Sequence, residues 1–293
     1  MAQLELPDRY EPLAQLGKGG GGEVWAVRDR HSEGKYALKV LAEGASEREM
    51  SALVREAVAL SGLEGLGVPR VVRFGRLARS GRAFLVRELV EGQSLEEVIA
   101  EGATLRALSA LSRAADQLTV LHRAGLFHGD VKPANIVVEV GGRTTFVDLG
   151  LAAPFREGGV QAEGLTPRYA APELFHGAQL TVRAEVYALG VTLAEIVNES
   201  RSSSLNGDVL RELVGVAKRA MLPKPADRFP SVDEFASALR RAAGITLSPE
   251  AQADQVSLWP VVGIDATSAQ LLEQVRGLEV GQCLRIVGAP GSG

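Results

Sequence analysis

Lys39 sits inside Tyr36-Ala37-Leu38-Lys39-Val40-Leu41, a run otherwise apolar enough to be a buried strand. A lysine in such a place is costly unless it is paired, so the fold has to bring it a partner. Just upstream, Gly17-Lys18-Gly19-Gly20-Gly21-Gly22-Glu23-Val24 fits G-x-G-x-x-G-x-V between two strand-like segments. Glycines in that pattern let backbone N–H groups approach phosphate oxygens with no Cβ in the way. Alone, the pattern reads equally well as a flexible turn; the lysine on the next strand is what lifts it. Downstream, Met50, Leu53, Val54, Ala57 and Leu60 recur at helical spacing, and that helix carries Glu56. Glu56 is the best carboxylate partner for Lys39, with Glu47 and Glu49 as competitors.

The rest of the chain divides by period. Residues 1–90 read mainly as strands with one helix; Glu23–Arg28, Tyr36–Leu41, Val68–Phe74 and Ala83–Val90 are the strand segments. After Gly92 the pattern turns helical. Leu105, Leu108, Leu111, Ala115 and Leu118 trace a long helix, and further helices are expected at 183–198, 208–221 and 232–243, the last opened by Ser231 with Glu234 as a capping box. Residues 151–166 read as a loop. Of 293 residues 46% are hydrophobic and 23% charged, a balance that supports a packed core. The net charge of −4 argues against a dedicated nucleic-acid binder. A single cysteine excludes a disulfide scaffold, and neither a membrane-length apolar run nor a signal pattern is present, so the expected location is cytoplasmic, with no membrane partner.

His128-Gly129-Asp130-Val131-Lys132-Pro133-Ala134-Asn135 is followed by Asp148-Leu149-Gly150, and then by Thr166-Pro167-Arg168-Tyr169-Ala170-Ala171-Pro172-Glu173. With the glycine motif and Lys39, residues 10–243 resemble a bacterial eukaryotic-like Ser/Thr protein kinase domain, with the motifs in the family's order. The resemblance implies an α+β, two-lobed protein kinase-like fold. Residues 1–90 would form an N-lobe of antiparallel sheet plus one helix, and 91–243 a mainly helical C-lobe, with ATP and Mg²⁺ in the cleft between them. It implies an enzyme that transfers the γ-phosphate of ATP to Ser/Thr hydroxyls of protein substrates. Asp130 would orient or accept the hydroxyl proton, Lys132 would neutralise the γ-phosphate, and Asn135 and Asp148 would hold the metal. Thr166 would bridge Asp130 and Lys132. Gly17, Gly19 and Gly22 would cradle phosphates beside Lys39 and its partner Glu56. The hinge would be Glu88-Leu89-Val90, with Glu88 and Val90 meeting the adenine edge and Val24, Ala37 and Val137 enclosing the ring. Glu173 would pair with Arg228 as a structural lock.

Three positions depart from the family pattern. Gly129 stands where an arginine usually precedes the catalytic aspartate, Arg87 where an apolar residue borders the adenine pocket, and Glu185 where an aspartate steadies the catalytic loop. The missing arginine normally binds a phosphate on the activation loop, and residues 149–165 contain no Ser, Thr or Tyr. Turnover without activation-loop phosphorylation is therefore expected. The alternatives are a pseudokinase or regulatory nucleotide-binding module and, less favoured, a small-molecule phosphotransferase, in which His-Gly-Asp is common. Residues 244–293 read as a linker and the truncated start of a P-loop ATPase domain. There, Gly288 to Gly293 supply the first six positions of G-x-x-x-x-G-K-[ST], and docking of this C-terminal region on the kinase part is a further expectation.

Overall fold

A computed structural model of the chain describes residues 5–19, 21–63, 68–155, 160–161, 164–200, 205–246, 264–279 and 281–284. In chain order the strands and helices begin with β1 (Tyr10–Gly19), β2 (Gly22–Asp29), β3 (Lys35–Leu41), α1 (Glu47–Gly62), β4 (Val71–Arg76) and β5 (Ala83–Glu88). They continue with β6 (Gly92–Ser94), α2 (Leu95–Ala100), α3 (Thr104–Arg123), β7 (Leu126–Phe127), β8 (Ile136–Glu139) and β9 (Thr144–Phe146). Next come the short strands β10 (Ala153–Pro154), β11 (Val160–Gln161) and β12 (Gln179–Leu180), followed by α4 (Val182–Glu199), α5 (Gly207–Ala220), α6 (Val232–Ala243), α7 (Ile264–Arg276) and β13 (Cys283–Leu284). Two compact units result: one of the described residues up to Val90 with those after 263, the other beginning at Glu91.

The first unit is an antiparallel sheet of order β1-β2-β3-β5-β4-β13. Its register decides which side chains meet. Val24 pairs with Lys39, Ala37 with Arg87 and Leu38 with Val86. Directly opposed residues share a face and neighbours along a strand alternate. Val24, Ala37, Lys39 and Arg87 therefore lie on one face, while Val27, Leu38, Val40, Phe84 and Val86 lie on the other and form an apolar cluster with Tyr10 and Leu77. α1 starts at a full capping box: Ser46 Oγ accepts from the Glu49 amide at 3.3 Å, and Glu49 Oε2 accepts from the Ser46 amide at 2.7 Å. It buries Leu53, Val54, Glu56, Ala57 and Leu60. The strand expected at Val68–Phe74 runs instead from Val71 to Arg76.

The second unit is helical, with a small β6-β8-β9 sheet. α3 buries Leu108, Leu111, Ala115 and Leu118, and it packs against α4 and α6 while α5 packs against both of those. At α6 only half of the expected capping box forms, Ser231 Oγ accepting from the Glu234 amide at 3.2 Å. The segment 151–166 is not wholly irregular. β10 pairs with β7 and β11 with β12, two residues each, too short for any period to reveal in sequence. The reading of 244–293 as a separate unit meets a different arrangement in its described part, where β13 pairs with β4 and α7 packs on α1. The glycines Gly288 to Gly293 lie outside the described residues. No described helix is long and apolar enough to cross a membrane.

Arg228 locks the second unit. Its Nη1 and Nη2 each lie 2.7 Å from an oxygen of Glu173. Nε donates to the Leu222 carbonyl, Nη1 to that of Arg183 and Nη2 to that of Pro223. All five guanidinium donors are used, and the group lies 4.9 Å from the Tyr187 ring centroid. Arg228→Ala would strand a carboxylate and three carbonyls at once. The expected loss is about 3–5 kcal/mol of unfolding free energy, read by urea denaturation against wild type.

Candidate active site

The candidate residues form two clusters, one in each unit. In the first, β1 and β2 make a hairpin in which Gly19 pairs with Gly22. Gly22 has φ +142°, and a Cβ there would overlap the Val40 carbonyl, so this position requires glycine. Gly17 and Gly19 differ: a Cβ on either would touch nothing. The fold itself does not demand glycine at those two positions, whereas the backbone approach of a phosphate would.

Glu56 is fully buried on α1. Its Oε2 lies 2.8 Å from Lys39 Nζ, and its Oε1 lies 3.5 Å from Arg87 Nε. Lys39 thus takes Glu56 among its partners. The competing carboxylates are engaged elsewhere, Glu47 with Arg276 and Glu49 in the α1 cap. Arg87, which stands where the family pattern has an apolar residue, is buried and contributes a second cation to the same anion. Ala37 is buried, Val24 half-buried on the same face, and the Glu88 carboxylate pairs with Arg70 at 3.1 Å. Val90 is half-buried at the end of this unit, and Val137 half-buried on β8 of the other.

In the second unit, Asp130 is the hub. Lys132 Nζ lies 2.5 Å from Asp130 Oδ2, and Thr166 Oγ1 donates to Asp130 Oδ1 at 2.6 Å. Lys132 also donates to Thr166 Oγ1 at 3.0 Å, closing a triangle. Asn135 Nδ2 donates to the Asp130 carbonyl at 2.9 Å and to Oδ2 at 3.1 Å, which leaves its Oδ1 as an acceptor. Asp148 adopts φ +66°, a left-handed backbone uncommon outside glycine, and its Oδ1 accepts from the Gly150 amide at 3.4 Å. Asn135 Oδ1 and the Asp148 carboxylate are hard oxygen donors of the kind Mg²⁺ takes, so the residues present fit the metal the resemblance implies.

Two features of this cluster were not anticipated. Gly129 has φ +83°, and a Cβ there would overlap the Leu151 carbonyl, so the residue in the arginine's place is one this backbone requires. Its amide donates to Glu185 Oε1 at 2.7 Å, while Glu185 Oε2 meets His122 Nε2 at 2.5 Å. The longer glutamate therefore still reaches the catalytic loop and also fastens it to α3. Nothing local in the sequence marks His122 for this, because its partner is sixty-three residues away.

The sequence profile of the protein kinase domain matches residues 10–243. The chain belongs to the protein kinase domain family. It is 32% identical over 243 residues to the serine/threonine-protein kinase PknA of Mycobacterium tuberculosis, covering 79% of this chain and 56% of that protein. It is 33% identical to the serine/threonine-protein kinase pkn2 of Myxococcus xanthus, covering 77% and 28%, and 28% identical to the DNA damage-responsive serine/threonine-protein kinase RqkA of Deinococcus radiodurans, covering 93% and 42%. The chain thus spans little more than half of these relatives, or less. The M. tuberculosis PknI kinase domain superposes with a TM-score of 0.60 at 28% identity, covering 81% of this chain and 96% of that domain. The fold is the protein kinase fold, and the family uses ATP with a divalent metal.

His128 supplies a pH test of the site's scaffold. It is fully buried against Phe146, and its Nδ1 accepts from the Asp130 amide at 3.2 Å. Burial holds its pKa below the ordinary histidine value. Below about pH 6.5 the unfolded chain therefore binds a proton that the folded chain resists, so folding stability falls as pH drops, by up to about 1.4 kcal/mol per pH unit. Denaturation titrations between pH 7.5 and 5 should show that slope in wild type and a flatter one in His128→Asn, which keeps an acceptor but does not titrate.

Proposed function

We propose that this chain is an ATP-dependent protein serine/threonine kinase. The observation that carries the reading is the closed triangle of Asp130, Lys132 and Thr166, with Asn135 tied to Asp130. Phosphoryl transfer asks mainly for positioning and charge stabilisation, and this network holds its members at hydrogen-bond distance before any substrate arrives. Asp130 takes the proton from a Ser or Thr hydroxyl as its oxygen bonds to the γ-phosphorus, while the bond to the β-phosphate oxygen breaks and ADP leaves. Lys132 stands beside Asp130 to neutralise the transferred group, and Lys39, oriented by Glu56, holds the other phosphates under Gly17, Gly19 and Gly22. Asn135 and Asp148 would hold Mg²⁺, which would offset charge on the phosphate oxygens. Glu88 and Val90 present backbone to the adenine edge, and Val24, Ala37 and Val137 enclose the ring. The departures at Arg87 and Glu185 support activity over a pseudokinase role, since each holds a site group in place.

The same reading includes turnover without a phosphate on the activation segment. What supports it is that the segment is fastened by the β10–β7 and β11–β12 pairs and by Phe155 stacked on Phe127 at 4.0 Å. The pattern Gly288 to Gly293 supports extending the proposal to the start of a P-loop ATPase region.

Labelled γ-phosphate should pass from ATP·Mg²⁺ to serine or threonine of the chain itself or of a generic basic protein. Asp130→Asn should lower the rate by about 10²–10⁴-fold. Lys39→Met and Asp148→Ala should abolish transfer while each variant still folds and unfolds in a cooperative thermal transition. Full phosphatase treatment should leave the rate unchanged; a rate that returns only with a phosphosite within 149–173, mapped by mass spectrometry, would count against independence from activation-loop phosphorylation.

A further inference from the structure

The described residues after 263 lie on the first unit at the helix that carries Glu56. α7 packs against α1. Leu271 and Val275, one helical turn apart on α7, are both buried. Arg276 at the end of α7 pairs with Glu47 in the first turn of α1. The chain then returns to the sheet. Arg76 of β4 donates from Nε to the Val275 carbonyl at 3.3 Å and from its amide to the Gln282 carbonyl at 3.0 Å. Cys283 and Leu284 pair with Gly75 and Phe74. A Cβ on Gly75 would lie 2.5 Å from that of Cys283, so the bare glycine gives the incoming strand its seat. β4 is thereby flanked on both sides, a role that an edge strand otherwise fills with another chain or with charged residues.

We propose that residues 264–284 brace α1 and, through it, hold Glu56 in register with Lys39, which makes Leu271, Val275 and Arg276 positioning residues for phosphoryl transfer. The inference rests on the kinase reading. α1 has sixteen residues, a length at which a helix depends on tertiary packing for its stability. One side of it is fixed to the sheet through Glu56. The brace adds a second attachment, since α7, on which Leu271 and Val275 are buried, packs on α1 and its Arg276 pairs with Glu47. Misplacing a reacting group by about 1 Å can cost on the order of a hundredfold in rate, so the seating of α1 bears directly on turnover.

The experiment uses the full 293-residue chain. Val275→Asp places a charge in the buried contact. Hydrogen exchange of the α1 amides should accelerate, and kcat for phosphoryl transfer should fall about tenfold, within the usual range of coupling between sites. Exchange in α3 of the second unit should stay as in wild type. Should Val275→Asp fail to fold, the charge pair gives a milder route. Arg276→Glu and Glu47→Arg should each lower kcat about two- to fivefold, and the double reversal should restore it, a rescue that general destabilisation does not produce. Unchanged α1 exchange in Val275→Asp, or no rescue in the double variant, overturns the brace. Faster α1 exchange with unchanged kcat overturns the positioning role. A wild-type chain without turnover removes the kinase reading and the positioning role with it, while the exchange comparison still decides whether the segment braces α1.

Discussion

Glu56 is the charge around which the first unit is built. A fully buried carboxylate is tolerable only when cations reach it, and both cations sit on the same face of the sheet, one on β3 and one on β5. The pairing therefore specifies several things at once: the register of β3 against β5, the rotation of α1 about its axis, and the burial of Arg87. An apolar residue at position 87 would leave Oε1 without a counter-charge. The departure from the family pattern is thus part of the electrostatic solution this chain uses, and the net charge of the cluster of three is positive on the face that also presents Val24 and Ala37.

The second unit solves a comparable problem with hydrogen bonds. Asp130 is held by Lys132, Thr166 and Asn135, and the backbone just before it is held by Glu185 through the Gly129 amide. Gly129 and Glu185 are best understood together. The left-handed loop at 129 has no room for a side chain, and the longer carboxylate at 185 reaches that loop's N–H while also taking His122. The Gly129 amide and the Glu185 carboxylate together fix the backbone that leads into Asp130.

Much of this was legible in the sequence, and most of what was not joins residues far apart along the chain. The glycine motif, Lys39, the run from His128 to Asn135, and Thr166 carry their chemistry in local spacing. The periods of α1 and of α3 through α6 are equally local. Illegible were partnerships across long separations, such as Arg87 with Glu56, His122 with Glu185, and β13 with β4. The two-residue strands β10 and β11 escaped for a different reason, since alternation needs more than two residues to show. The capping box foreseen at Ser231 formed by half, because Glu234 contributes its amide without its side chain returning to the Ser231 backbone.

The seat of β13 on β4 has a consequence for how the chain comes to be folded. Arg76 and Val275, joined by a hydrogen bond, are 199 residues apart. Contacts that close so long a loop carry a large entropic cost and form after the local ones. During synthesis the β4 edge emerges roughly two hundred residues ahead of its covering strand, so at the usual pace of translation the sheet spends on the order of ten seconds or more with its backbone groups open on that side. Over that interval the growing chain is at its most exposed to pairing with a neighbour, and chaperone capture of the nascent first unit would have its natural window there.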